Sequence, residues 1–238
     1  MTIALLSDVH ANLAALEAVL AALPSVEELW VLGDTVGYGP HPSETLALLR
    51  ERGARIVGGN HDRAAATGEG IELFNKAAAE AARSHRAWLS SEERDILADL
   101  PQIVVEGEFA LCHGSFRDPL WEYVLTAGSA AASLGAAPAA SGCCGHTHVP
   151  ALFRGSGTLE ALRPVAGEAY ALGPRALINP GSVGQPRDGD PRAAYALLDP
   201  LGREVTFQRV PYDTEAVRRD ILARGLPAIL GDRLPHGL

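Results

Sequence analysis

The sequence lacks any block of like charge, and its basic residues form no stripe. The 238 residues carry a formal net charge of −9 at pH 7. A protein that grips a nucleic-acid backbone needs clustered cations to neutralise phosphates, so we expect no extended nucleic-acid binding. Small anionic substrates remain open, because bound metal cations reverse the local field in a site rich in carboxylates.

Cysteine is scarce, and no long hydrophobic run is present. The three cysteines, Cys112, Cys143 and Cys144, lie in or beside apolar runs, which favours buried free thiols over disulfides and suits a reducing compartment. The N-terminal residues lack the basic region of a signal peptide. Residues 125–144 are weakly apolar, but Pro138 lies among them and they make a poor membrane span. We therefore expect a cytoplasmic protein with no membrane partner.

The chain is long enough for one large domain, and its first part alternates short apolar runs with helical patterns. Strands are predicted at residues 2–6, 29–32 and 55–57. A helix capped by Asn12 follows the first strand, and one that starts near Pro42 follows the second. This βαβαβ pattern predicts parallel strands with right-handed crossovers.

The pattern of predicted secondary structure changes from helices to short strands at about Pro101. Before it, residues 71–88 are predicted as one long helix, and a capping box of Ser90 and Glu93 opens another. After it come short, closely spaced strands of a largely antiparallel or mixed sheet. They are predicted at residues 103–105, 109–112, 140–144, 151–153, 158–162, 176–178, 193–198 and 204–210. A final helix starts at Asp213. Without repeat or linker, this predicts one domain of two packed sheets with helices outside.

Five polar clusters each follow directly after a predicted strand. They are Asp8 to His10, Gly33 to Asp34, Gly58 to Asp62, His113 to Gly114, and Gly145 to His148. The carboxyl ends of strands form the binding crevice of open α/β sheets, so distant clusters converge at one edge. Each cluster alone also fits an ordinary turn or helix cap, but all five in this order favour a functional site.

The residue types in these clusters suit divalent metals. Imidazole and carboxylate are ligands for cations such as Mn, Fe and Zn, and an Asn carbonyl oxygen can join them. Asp8 and His10, like His146 and His148, would share a face if the backbone there were extended. Glycines beside them would let the backbone come close to an ion.

Together the clusters resemble the five-part signature of the calcineurin-like metallophosphoesterases, over residues 8–148. Asn179, Pro180, Gly181 and Ser182 further resemble a segment of the small bacterial and archaeal phosphodiesterases of that superfamily. The resemblance implies an α/β fold, a four-layer α/β/β/α sandwich of two mixed sheets flanked by helices. It also implies a single metallophosphoesterase domain at residues 1–238.

The resemblance implies two divalent metal ions, with Mn favoured and Fe, Zn or Ni as alternatives. The first would be held by Asp8, His10, Asp34 and His148, and the second by Asp34, Asn60, His113 and His146. Such a pair activates a bound water for in-line attack on phosphorus. His61 would act on the leaving oxygen or the transition state, with Asp62 holding its tautomer.

One departure from the family pattern bears on the substrate. Related protein phosphatases and dinucleoside tetraphosphatases have an Arg after the Gly-Asp motif, and residues 33–40 contain none. A fixed Arg clamp suits monoesters or polyphosphates, so its absence favours a small phosphodiester or nucleotide-like substrate. Arg187 or Arg117 could replace it, and Tyr38 could contact a substrate ring or simply cover the core.

Other interpretations stay open from the sequence. A phosphomonoesterase, a protein phosphatase or a dinucleoside polyphosphate hydrolase would use the same chemistry on another substrate. A non-catalytic interaction scaffold of the same fold is less favoured, since every expected ligand and His61 are present. The Asn179 segment could aim backbone N–H groups at an anion, or form a turn that organises the second sheet.

Overall fold

The computed structural model describes residues 1–238, which form twelve strands and eight α-helices. The strands are β1 Ile3–Leu6, β2 Glu28–Val31, β3 Arg55–Ile56, β4 Val104–Glu106, β5 Phe109–Leu111, β6 Ser141–Cys143, β7 Ala151–Gly155, β8 Glu160–Leu162, β9 Ala169–Ala171, β10 Arg175–Asn179, β11 Ala193–Asp199 and β12 Glu204–Val210. The helices are α1 Leu13–Ala22, α2 Pro42–Glu51, α3 Asn60–Thr67, α4 Lys76–Trp88, α5 Ser91–Ala98, α6 Ala127–Ala136, α7 Thr214–Ala223 and α8 Ile229–Asp232.

The first sheet has the order β3-β2-β1-β11-β12-β9. Strands β1, β2 and β3 are parallel, which confirms the βαβαβ prediction, and β11 joins β1 antiparallel. The second sheet has the order β4-β5-β6-β10-β7-β8, with β6 parallel to both β5 and β10. Both sheets are therefore mixed, as the resemblance implied.

The two sheets pack face to face because alternate residues of each strand point to opposite faces. Ile3 and Leu5 of β1 lie in a buried cluster with Phe109 and Leu111 of β5. The intervening Leu6 packs instead with α1 on the outer face. On the far side of the second sheet, α6 packs against β5 and β10. The result is the predicted four-layer α/β/β/α sandwich.

Some elements differ from the sequence prediction. The long helix predicted from residue 71 begins at Lys76, because Asn75 caps it by accepting from the Ala78 N–H at 3.0 Å. A separate 3-10 turn occupies Ile71–Leu73. Helix α6 was not predicted, since its run of Ala, Gly and Ser has little amphipathic pattern, and α3 begins inside what the sequence presents as a turn.

The three cysteines are free and buried, as expected. None of the helices is both long enough and apolar enough to cross a membrane.

Candidate metal centre and the cavity above it

The loops that follow β1 and β2 are joined to each other by backbone hydrogen bonds. The Asp8 N–H donates to the Gly33 carbonyl at 3.1 Å, and the His10 N–H donates to the Asp34 carbonyl at 2.9 Å. These bonds hold Asp8, His10 and Asp34 at φ of 52°, 51° and 53°, in the left-handed region. Non-glycine residues rarely adopt it, and such strain is concentrated at functional sites.

This backbone corrects one expectation. Asp8 and His10 do not share the face of an extended segment, and neither do His146 and His148, whose φ values are 66° and 60°. The side chains still converge, because the loops curl over the ends of the strands.

The first candidate metal-binding group consists of Asp8, His10 and His148. The His148 Nε2 atom lies 3.3 Å from Asp8 Oδ1, and His10 Nε2 lies 3.9 Å from the same oxygen. The Nε2 atoms of the two histidines are 3.0 Å apart. All three side chains are buried.

The second candidate group consists of Asp34, His113 and His146, with Asn60 beside it. The His113 Nε2 atom is 3.3 Å from Asp34 Oδ2, 3.0 Å from His146 Nδ1 and 3.1 Å from Asn60 Oδ1. The Asp34 Oδ2 atom also lies 3.6 Å from His10 Nε2 of the first group. Asp34 therefore stands between the groups, where a bridging carboxylate would lie.

The outer ring nitrogens of three histidines are held by backbone carbonyls. His10 Nδ1 lies 3.0 Å from the Val36 carbonyl, His113 Nδ1 lies 2.9 Å from that of Leu32, and His148 Nδ1 lies 2.6 Å from that of Gln185. Donation from Nδ1 fixes the tautomer and turns the Nε2 lone pair inward, as in ligating histidines. Lone pairs then face each other across 3.0 Å between His10 and His148, and a cation relieves this contact.

Burial keeps most of these imidazoles neutral, which is their metal-binding form. It lowers the pKa of His146 to about 3, and holds the pKa of His10 well below its usual range. His113 is the exception. Burial opposes its protonation, but the Asp34 carboxylate, together with that of Asp8 and the Leu32 carbonyl, outweighs burial and raises the pKa of His113 to about 9. The buried carboxylates therefore stabilise a positive charge at the position of His113, and a divalent cation would supply that charge.

Unpartnered polar atoms also fit a metal-binding site. Asp8 Oδ1 and His146 Nε2 are buried and form no hydrogen bond. Buried polar groups in proteins almost always have partners, so these atoms need an explanation. The residues present therefore fit two metal ions: oxygen and nitrogen donors, lone pairs turned inward and one carboxylate between them.

Close packing around the carboxylates explains two of the glycines. A Cβ atom on Gly59 would overlap Asp34 Oδ1, and one on Gly145 would overlap the Ser7 hydroxyl beside Asp8. The expectation that glycine lets the backbone approach the site holds at these two positions.

His61 is the second residue of helix α3 and lines the cavity, but it is not part of either metal-binding group. Its backbone N–H donates to Asp34 Oδ1 at 2.9 Å, and its ring stacks on Phe74 with centroids 4.3 Å apart. Burial lowers the pKa of His61 to about 4, so the ring is neutral at neutral pH.

The prediction that Asp62 holds the His61 ring is wrong. Asp62 instead accepts from the backbone N–H groups of Val36 and Gly59, each at 3.0 Å, and His61 Nδ1 has no hydrogen-bond partner. Asp62 sits at the third position of α3, where its carboxylate reaches back to the start of the helix. It holds the two ligand-bearing loops together rather than orienting the imidazole.

The Asn179 segment braces these loops from the other side. Asn179 Nδ2 donates to the Gly145 carbonyl at 2.7 Å, and the Ser182 hydroxyl donates to the Asp8 carbonyl at 2.8 Å. The next N–H groups, of Val183 and Gly184, donate to the carbonyls of Ser7 and Asp8. Because these donors are used within the protein, the segment positions the ligand loops and does not bind an anion through them.

A cavity of about 330 Å³ opens over the two groups. It is lined by Asp34, Tyr38, Asn60, His61, Leu73, Phe74, Asn75, Ala78, Trp121, Tyr123, His146, His148, Arg187 and Arg233. Aromatic rings form much of its wall: Tyr123 stacks on His146 at 4.0 Å between centroids, and Trp121 lies 5.5 Å from Phe74.

Of the three residues predicted to contact the substrate, two line the cavity and one does not. Tyr38 lines the cavity 4.4 Å from the His61 ring and also packs on α7, so it covers part of the core, and its contact with a substrate ring stays a prediction. Arg187 lines the cavity and donates to the Tyr38 hydroxyl at 3.3 Å. Arg117 does not line it, because its guanidinium is paired with Glu122.

Sequence reasoning missed Phe74, Trp121, Tyr123 and Arg233, which lie far from the strand-end motifs. The available signal was the scarcity of aromatic residues, which make up 5% of the chain, together with the short span between Trp121 and Tyr123. Nothing in the sequence placed Arg233, near the C-terminus, beside the site.

Comparisons with known proteins agree with this geometry. Residues 1–202 match the family model of the calcineurin-like phosphoesterase superfamily domain. A crystal structure of a metallophosphoesterase from Sphaerobacter thermophilus is 40% identical and superposes with a TM-score of 0.90, covering 100% of both chains. An uncharacterised protein of Methanocaldococcus jannaschii is 34% identical over 248 residues, 98% of this chain and 96% of its own.

A third relative is similar over a shorter stretch. The symmetrical bis(5'-nucleosyl)-tetraphosphatase of Vibrio vulnificus is 34% identical over 101 residues, which are 41% of this chain and 37% of that protein. The family model and the long relatives settle the assignment: the chain belongs to the calcineurin-like phosphoesterase superfamily.

Proposed function

We propose that the protein is a dinuclear metal-dependent phosphodiesterase that acts on small, nucleotide-like esters. One observation carries the proposal: two buried ligand groups lie side by side at the floor of the cavity, and Asp34 of the second group is 3.6 Å from His10 of the first. Asp8, His10, Asp34 and His148 would hold one ion, and Asp34, Asn60, His113 and His146 the other. Two bound cations would supply Lewis-acid activation of the phosphoryl group and of a water molecule.

The chain's own residues provide the remaining parts of the reaction. His61 faces the cavity outside the ligand groups, where its ring can donate to a departing or phosphoryl oxygen. Asp62 acts through the backbone of Gly59 and Val36, keeping α3 and the loop after β2 in register. The aromatic wall excludes water and gives a flat group of the substrate a surface to pack on.

The preference for a diester is supported by the size and lining of the cavity. A diester has an organic group on each side of phosphorus, and a cavity of about 330 Å³ lined by four aromatic side chains accommodates more than a bare phosphate. The charge argument is weaker than residues 33–40 alone indicated, because Arg187 and Arg233 reach the cavity from other segments.

Those arginines favour one second candidate, a dinucleoside polyphosphate hydrolase. Guanidinium groups suit polyphosphates, and part of the chain is similar to the Vibrio tetraphosphatase. Mn is the metal we propose, with Fe, Zn and Ni as alternatives, since N and O ligands suit all of them. We further propose that residues 1–238 act as one domain in the cytoplasm, which the buried free thiols support.

The test is the activity of metal-stripped protein with single metals added back. Mn, Fe, Zn, Ni and Mg are compared on bis-p-nitrophenyl phosphate, p-nitrophenyl phosphate and diadenosine tetraphosphate. We expect Mn to restore hydrolysis and the diester to have the highest kcat/KM. An Asp34→Asn preparation, purified identically, controls for contaminating phosphatase.

Each contrary result has a clear meaning. Preference for p-nitrophenyl phosphate would reject the diesterase proposal, and preference for diadenosine tetraphosphate would establish the second candidate. No hydrolysis with any metal, in protein that binds two ions, would favour the interaction scaffold.

A further inference from the structure

Two arginines face the cavity without a carboxylate partner. Arg187 and Arg233 both line it, together with Asp34, Asn60 and His61 of its floor. Other arginines of this acidic chain are ion-paired, for example Arg192 with Asp190 at 2.6 Å and Arg218 with Asp232 at 2.7 Å. A charged group removed from bulk water ordinarily has a partner of opposite sign, so this pair needs an explanation.

The other half-buried arginines outside ion pairs are satisfied by carbonyl groups. Arg94 donates to the carbonyls of Arg86 and Leu89 at 3.0 and 3.1 Å, and Arg175 donates to that of Leu134 at 2.9 Å. These side chains fasten segments of the fold to each other. The two cavity arginines have no comparable role.

Arg187 is positioned by neutral groups and keeps a donor free. One terminal nitrogen donates to the Gln185 amide oxygen at 2.9 Å and to the Tyr38 hydroxyl at 3.3 Å. Its Nε atom is buried and has no hydrogen-bond partner. The backbone N–H of Arg187 donates to the His148 carbonyl at 3.3 Å, which positions the backbone of this residue beside the first metal-binding group.

Arg233 lies just after α8 and donates no side-chain hydrogen bond. Burial, and then the positive charge of Arg187, lower the pKa of Arg233. Two guanidinium groups that repel each other in one cavity are stabilised when an anion lies between or beside them. Their planar donor sets match the oxygens of a phosphate group.

We propose that Arg187 and Arg233 bind a second phosphate group of the substrate, separate from the phosphorus that lies over the carboxylate and histidine groups. This subsite rests on the proposed function, since it selects among phosphoesters. It makes the preferred substrate a phosphodiester that carries a further phosphate on one of its two organic groups or along its chain.

A matched pair of substrates tests the subsite. Thymidine 5'-(p-nitrophenyl phosphate) and its 3'-phosphorylated form have the same scissile bond and leaving group, and differ by one phosphate. We expect Mn-loaded protein to favour the 3'-phosphorylated form by about tenfold or more in kcat/KM, the size of charge-assisted hydrogen bonding. Arg187→Gln and Arg233→Gln should each reduce the ratio, and the double variant should bring it near unity.

A matched control carries the same loss of charge elsewhere. Arg219 is exposed on α7 and forms no ion pair, so Arg219→Gln should keep the ratio of the unmodified protein. Arg233→Lys should restore part of the ratio, because it keeps the charge without the planar fork. Thermal unfolding of each variant shows that the fold is retained.

Calorimetric binding to Mn-loaded protein gives a readout that needs no turnover. Pyrophosphate and tripolyphosphate should bind more tightly than phosphate, and the double variant should lose that gain. The proposal is overturned if neither the added 3'-phosphate nor the longer anions gain affinity, or if the arginine variants leave the gain intact. Absence of hydrolysis combined with an arginine-dependent gain in binding would instead reject the proposed activity and retain the subsite.

Discussion

The floor and the wall of the cavity are built in opposite ways. Asp8, Asp34 and His113 of the floor are at most 1% exposed, whereas Leu73 and Tyr123 of the wall are 65% and 48% exposed. Backbone hydrogen bonds between loops hold the floor, and carbonyl groups hold its imidazoles. Most of the wall consists of side chains from segments that do not directly follow a strand of the site, such as Phe74, Trp121 and Arg233. We therefore propose that the floor determines the chemistry and that the wall determines which substrate reaches it.

Among the variants considered, loss of the Asp34 carboxylate should impair the metal site most severely. In Asp34→Asn we expect loss of metal occupancy and a fall in kcat of about 1,000-fold or more, because metal ions contribute several kcal/mol of transition-state stabilisation. Elemental analysis of the purified variant and its rate on bis-p-nitrophenyl phosphate check this. A fully loaded but inactive variant would show that Asp34 has another role.

A variant of His61 distinguishes a role in catalysis from a role in metal binding among the residues of the floor. We expect His61→Ala to keep both ions and lose about 100-fold in kcat, because the role we propose for its ring is at the leaving group and not at the metal. Surface His41, paired with Asp220 at 3.0 Å, provides the matched control, and His41→Ala should retain full activity. An empty metal site in His61→Ala would contradict the assignment.

One added methyl group beside Asp34 should weaken metal binding without removing any metal-ligating atom. In Gly59→Ala the new Cβ atom displaces the Asp34 carboxylate, and we expect metal affinity to fall about 10- to 100-fold, as for losses of supporting contacts. Gly135→Ala is the control, because nothing lies within 4 Å of its Cβ position and alanine favours the helix. Equal metal affinity in the two variants would mean that Gly59 does not constrain Asp34.

The wall should respond differently from the floor. Trp121→Ala should raise KM for a nucleotide-like diester about fivefold to tenfold, with kcat and metal content retained, because stacking on a base contributes about 1–3 kcal/mol. Trp121→Phe should recover part of the loss. Leu201, which is 81% exposed and lies outside the cavity, gives a control truncation in Leu201→Ala. A fall in kcat with unchanged KM would place Trp121 in the chemistry and remove the contrast between wall and floor.

The same contrast explains what could be predicted from the sequence. Each ligand cluster of the floor follows a short apolar strand, and parallel pairing of β1, β2 and β3 brings chain-distant clusters to one edge. Local pattern and residue type were enough to find them. The pairing of Asp62 with His61 was expected because carboxylates often orient catalytic histidines. It is wrong because the start of α3 was not foreseen, and the N-terminal geometry of this helix turns Asp62 towards backbone donors.

The wall could not be predicted, for a physical reason. Phe74, Trp121 and Arg233 meet only after the two sheets and the C-terminal helices have packed, and no periodic pattern marks such a meeting. A half-buried aromatic residue has the same sequence signature in a core as in a cavity wall. Arg187 was predicted only as one of two loop arginines that could replace the missing clamp, and the other, Arg117, lies outside the cavity.

Crystals of the protein soaked with Mn, with anomalous diffraction recorded at the Mn edge, test the central claim most directly. We predict two peaks roughly 3.5–4 Å apart, one beside Asp8, His10 and His148 and the other beside Asn60, His113 and His146, with Asp34 between them. A single peak, or none at these side chains in crystals that hold Mn elsewhere, would contradict the dinuclear centre.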